Sequence, residues 1–224
     1  MEQITAWFKQ LDFSSLLPTL LILIASLLSI TVHESCHGLA ALALGDDTAK
    51  RAGRISLNPL RHVDLMGLIL MALVHFGWAK PVPVRAENFR HPKRDMALTA
   101  LAGPVSNLLL AFAASLLAVV FFRLMRRNPD SSIFPAALTL MQDTAMISGG
   151  LAVFNLIPVP PLDGSKVLFS FLPLRAYAKL MRYERYGMLL LALLLLTGVL
   201  DPVLNFLCNG LLQALFAAAS WIVA

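Results

Sequence analysis

The chain has 224 residues, 58% hydrophobic and 14% charged, with a mean hydropathy of +0.74. A soluble domain carries about 25% charged residues, so the surplus apolar surface excludes an ordinary soluble fold and points to lipid. The net charge of +5 does not indicate a nucleic-acid partner, because the basic residues lie between apolar runs, as in the loops of a multi-pass membrane protein.

The N-terminal residues include Glu2, Asp12 and a single lysine, Lys9. They lack the basic region of a secretory signal, so the first apolar run is expected to be retained. That run, about 13–44, is long enough to cross a bilayer and ends at Gly45-Asp46-Asp47. A mixed, basic stretch follows. Within it "LMGLILMALVHFGWA", residues 65–79, is too short to span and is expected to be re-entrant or interfacial. Pro81 and Pro83 make "KPVPV" extended. Further spans are expected at about 95–122, 134–157, 186–200 and 203–223, the one at 134–157 breaking at "NLIPVPPLDG". The reading is an all-α polytopic membrane protein. It has about five transmembrane segments and one re-entrant or extended element between the first two. Residues 1–224 form a single domain, with a core at about 13–174 and additional segments at about 186–223.

Cys36 and Cys208 are too few and too distant for a disulfide framework. Fourteen of the 18 Lys and Arg residues fall in loops 45–95 and 163–186. The positive-inside rule places those loops in the cytoplasm, with the first helix entering from outside.

"HESCH" sits in the second half of that first helix. His33 and His37 lie one turn apart on one face and can converge on one ion. Glu34 is rotated away from ligation but can reach a water at the metal, the arrangement of a zinc hydrolase. A glutamate at bilayer depth costs at least ~2.5 kcal/mol without compensation, which favours a cation over chance. A catalytic zinc takes three protein ligands. The remaining candidates are Cys36, His62, Asp64, His75, His91, Asp143 and Asp163. Asp163 follows a proline-broken helix end at the right depth, but "PPLDG" also reads as an ordinary turn, and spacing leaves both open.

Taken in order, "HESCH", "NPLRHVDLMG", "GWAKPVPV", "AGPVSN" and "NLIPVPPLDGSKV" resemble the site-2 protease family of intramembrane zinc metalloproteases. The likeness is to the compact prokaryotic branch without a PDZ domain, over roughly residues 25–170. The resemblance implies one zinc ion per chain held by His33, His37 and Asp163, with Glu34 catalytic. Asn155 matches the asparagine of the family's N-x-x-P-x-x-x-L-D-G pattern and is expected near substrate or oxyanion. His62, read from its own place in the chain, is either a donor to the oxyanion or part of a satisfied loop pair with Asp64 at the membrane interface. "LMGL" at 65–68 departs from relatives, which often carry a proline and small polar residues there. Asn107 reads as an interhelical hydrogen-bonding residue. "GWAKPVPV" reads either as an edge pairing with unwound substrate or as a plain connector.

The expected activity is hydrolysis of peptide bonds in or near transmembrane segments of membrane proteins. A zinc-activated water attacks, and Glu34 takes the proton and passes it to the leaving amine. The expected partners are a transmembrane substrate and the bilayer; a homo-oligomer stays open. The location implied is a prokaryotic cytoplasmic membrane, with the site towards the cytoplasm. A catalytically silent zinc-binding scaffold is the alternative. A metal transporter would need ionisable residues inside the last two segments, and those have none.

Overall fold

The computed structural model describes residues 16–64, 67 and 79–223. The expectations for the N-terminal residues and for most of 65–79 lie outside them. The described chain is helical: α1 (Leu16–Ala43), a short α2 (Thr48–Arg51), α3 (Pro92–Arg127), α4 (Ile133–Asn155), a short α5 (Asp163–Ser170), α6 (Leu174–Leu196) and α7 (Asp201–Val223). Helices α1, α3, α4 and α7 are each long and apolar enough to cross a membrane.

Two segments differ in extent from the sequence reading: that expected at 95–122 is α3, which also runs on to Arg127, and that expected at 186–200 belongs to α6. The segment expected at 95–122 starts at Pro92, where proline suits a first helical turn because its missing N–H would be unbonded anyway. "AGPVSN" therefore lies well inside α3 and not at its start. The segment expected at 186–200 is the end of the longer α6, of which only Tyr186–Leu196 is apolar. The basic residues before it do not interrupt the helix, since Arg and Lys are good helix formers.

The core explains how these helices associate in lipid. On α1 the buried residues Ala25, Ser29, His33, His37 and Ala41 recur every four positions. On α3 the buried residues Asp95, Thr99, Gly103, Asn107, Ala111 and Ser115 do the same. Small and polar side chains thus form the seams between α1, α3 and α4, which pack on one another. Large apolar residues such as Leu20, Ile24, Leu109 and Leu117 face outward. This inside-out pattern is expected where helix association comes from close backbone approach and interhelical hydrogen bonds, not from hydrophobic burial. α7 packs against α3 and α4.

Residues 44–64 and 79–91 wrap the C-terminal end of α1. Among the described residues, β-pairing is limited to one antiparallel bridge between Val63 and Ala79, continued by Lys80 N–H donating to His62 O at 2.8 Å.

Candidate metal centre

His33 Nε2 and His37 Nε2 lie 3.0 Å apart, and Asp163 Oδ2 is 3.2 Å from each. All three residues are buried. The local sequence builds this triangle in three steps. The four-residue spacing on α1 stacks the imidazoles edge to face, with centroids 4.5 Å apart. α4 stops at Asn155, and the proline-rich turn brings the chain back to Leu162, whose extended backbone starts α5 at Asp163. Gly164 then lies so close to Leu156 O and Ile157 O that a Cβ would stand 2.7 Å from the latter. Only glycine allows the returning helix to press this tightly on the end of α4.

The tautomers follow from the partners. His37 Nδ1 is 2.7 Å from Thr99 O, a pure acceptor, so Nδ1 carries the proton and Nε2 presents a lone pair. His33 Nδ1 lies 3.2 Å from Asn107 Nδ2, while the buried Asn107 Oδ1 has no hydrogen-bond partner. Turning the amide over resolves both: Oδ1 accepts from His33 Nδ1–H, and His33 Nε2 also presents a lone pair. Three lone-pair atoms then converge within 3.2 Å with no proton between them. That arrangement is unfavourable without a cation. Tetrahedral zinc bound by nitrogen and carboxylate oxygen needs ligand atoms about 3.3 Å apart, so the donor set and its spacing fit zinc.

Gly103 forms the wall of this space. A Cβ there would stand 2.6 Å from His37 Cε1 and 2.7 Å from His33 Cε1. Lys166 Nζ lies 4.0 Å from Asp163 Oδ1, the carboxylate oxygen turned from the histidines.

Glu34 is half-buried on the neighbouring flank of α1. Its Oε2 accepts from Val82 N–H at 2.9 Å, which ties it to the extended segment. Two further anchors hold that segment. The Arg54 guanidinium donates to Arg61 O, Lys80 O and Pro81 O. Asp46 is fully buried and accepts from Arg85 N–H (2.7 Å), Asn88 Nδ2 (2.7 Å), Thr48 N–H and the Thr48 hydroxyl. Burial alone would raise the Asp46 pKa. The donations from Arg85, Thr48 and Asn88 outweigh it and hold the carboxyl down at about 2.

The other anticipated residues lie apart from the triangle. His62 is buried against the opposite flank of α1, with Nε2 2.8 Å from Ser56 O and 3.4 Å from Ser35 Oγ. Asn155 donates to Leu151 O within its own helix at 3.0 Å. Among the described residues, Cys36, His62, Asp64, His91 and Asp143 do not join the donor group; His75 is outside them. Asn107 is the interhelical hydrogen-bonding residue that the sequence suggested, though not with His33 as its named partner; the parts played by Thr99 O, Gly103 and the Val82 amide were not anticipated. For Gly103 and Asn107 the signal was present, since both fall on one four-residue stripe of α3. The two backbone groups leave no mark in side-chain identities.

Comparison with known proteins brings the same chemistry together. The family model described as peptidase family M50 matches residues 124–198, the part that contains Asp163. A Bacillus subtilis protein named "Putative zinc metalloprotease YwhC" is 38% identical over 213 residues, covering 91% of this chain and 93% of its own. A Mycolicibacterium smegmatis protein of the same description, Rip2, is 29% identical over 81% of this chain and 69% of its own. MJ0611 of Methanocaldococcus jannaschii, again so described, is 27% identical over 67% and 72%. No solved structure matches.

Proposed function

This chain belongs to peptidase family M50, and on that premise we propose that it cuts peptide bonds within or beside the transmembrane segments of other membrane proteins. It is a zinc-dependent metalloprotease and an all-helical integral membrane protein. The finer reading rests on one observation: the His33–His37–Asp163 donors and Glu34 sit on or against a helix long and apolar enough to span a bilayer. A substrate that reaches them must itself be at membrane depth.

His33 Nε2, His37 Nε2 and Asp163 Oδ2 would hold the zinc. Zinc supplies Lewis acidity there, lowering the pKa of a water and polarising a carbonyl. Thr99 O and Asn107 keep the two imidazoles in the tautomer and orientation that ligation needs. Glu34, with Oε2 occupied by Val82 N–H, takes the water proton on Oε1 and gives it to the nitrogen of the leaving amine. Asn155 and His62 are proposed to act on substrate or oxyanion after it enters. The carbonyl attacked is hydrogen-bonded inside its own helix, so the substrate unwinds first, which favours Gly, Pro, Asn or Ser near the cut.

The charge distribution supports a cytoplasmic membrane with the site towards the cytoplasm. The core at about 13–174 carries the chemistry, and α6 and α7 are additions to it.

The test maps new protein N-termini in membranes from cells expressing the wild type or Glu34→Gln. New termini within or beside apolar spans, absent in the variant, support the proposal. Equal termini in both would instead favour a silent zinc-binding scaffold.

A further inference from the structure

A second cavity, of about 290 Å³, opens beside the loop after α1. Arg54, Arg61 and Lys80 line it together with Leu60 and Val63, and no carboxylate does. Arg54 is only 8% exposed, and its Nε–H is buried without a partner. Arg61 and Lys80 are exposed and form no ion pair among the described residues. Arg54 and Arg61 each spend donors on backbone carbonyls, but those bonds leave the positive charges uncompensated, and three cations round one hollow with no carboxylate beside them attract an anion that accepts several hydrogen bonds. A phosphate does so, and arginine matches its geometry.

The rim says what carries the phosphate. Leu57 and Leu60 are each 78% exposed, beside a helix end that emerges from the apolar span. A soluble anion would leave these leucines in water, whereas an amphiphile would cover them. Basic pockets at the ends of membrane helices suit anionic headgroups for this reason.

We propose that this cavity binds the phosphate of an anionic phospholipid, with its acyl chains against Leu57 and Leu60. The site bears on the metal centre through Arg54. The same guanidinium grips Lys80 O and Pro81 O, and the next amide, Val82 N–H, holds Glu34. A bound headgroup would neutralise the crowded charges and steady that grip. The lipid site itself does not depend on the protease reading.

The test is native mass spectrometry of the full chain with zinc, titrated with phosphatidylglycerol or phosphatidylcholine of identical chains. Wild type should hold phosphatidylglycerol roughly tenfold more tightly. Arg61→Gln with Lys80→Gln should lose the preference, while Arg126→Gln with Arg127→Gln, at the other end of α3, should keep it. Arg61→Lys with Lys80→Arg preserves the charge and should retain most of it. Zinc content and elution volume check the fold, and Lys80→Gln alone serves if the double variant fails to fold. No preference in wild type, or equal loss in both charge-removal variants, would overturn the site. Displacement by excess inorganic phosphate would overturn the lipid assignment in favour of a soluble anion.

Discussion

Val82 and Glu34 are joined by a hydrogen bond of 2.9 Å from a backbone amide to a carboxylate, across 48 positions of sequence. It ties an extended, proline-flanked segment to the proposed catalytic glutamate without using a side chain of that segment. Replacing Val82 by proline removes the donor while keeping the extended conformation that Pro81 and Pro83 already impose. A hydrogen bond to a charged group is worth ~1.5–3 kcal/mol. Val82→Pro should therefore lower kcat at least about tenfold with zinc content unchanged. Val82→Ala, which keeps the N–H, should lose far less. Equal losses would mean that the side chain matters and not the amide.

Gly103 should tolerate no side chain. Gly103→Ala sets a methyl group under 3.0 Å from both imidazoles, where the ligand atoms must stay clear. Zinc should be lost or greatly weakened, as read by metal analysis after size exclusion. Gly150→Ala, with nothing within 4 Å of the new Cβ, is the matched control and should bind one zinc.

Asn107 is expected to act on zinc affinity and not on proton transfer. Asn107→Leu removes the acceptor for His33 Nδ1–H, and loss of such a partner costs about 10–100-fold in metal affinity. Asn107→Asp keeps an acceptor at the same place and should recover most of it. Chelator competition measures both. An Asn107→Leu protein that binds zinc normally would disprove the reoriented amide.

Asp46 should contribute acid-sensitive stability. Its folded pKa of about 2 lies below the ordinary value of 3.8, so the unfolded chain takes up the proton first. The contribution, about 2 kcal/mol, is full above the unfolded pKa and disappears as pH falls through about 2. Thermal unfolding of metal-free wild type and Asp46→Asn should therefore differ most at neutral pH and converge as the pH approaches 2. A gap that persists at that pH would locate the effect elsewhere.

Much of the centre was legible because its signals are local. His33 and His37 announce themselves by helical spacing, and Glu34 by its cost in lipid. Asp163 was less legible. "PPLDG" has the composition of a turn whether or not its carboxylate meets a metal, and a family resemblance was needed to favour the ligand. The length of α3 was misjudged at its start because charged residues at 93–95 look like loop, yet they continue the helix after Pro92.

The sequence by itself determined the class of the molecule, its apolar spans, the paired histidines and the glutamate beside them. These depend on composition and on periodicity within one helix, which a linear chain displays directly. Tertiary structure brings Asp163, which the family resemblance already favoured, to 3.2 Å from both histidines. It also decided that Thr99 O and Asn107 set the histidine tautomers, that Gly103 keeps the metal space open, and that the Val82 amide steadies Glu34. Each of these is a contact between segments far apart in the chain, and two are made by backbone atoms that every residue possesses. The packing of α1 against α3, along two stripes of buried side chains spaced four residues apart, brings Thr99, Gly103 and Asn107 to the histidines, and the anchored segment after Ala79 brings the Val82 amide to Glu34.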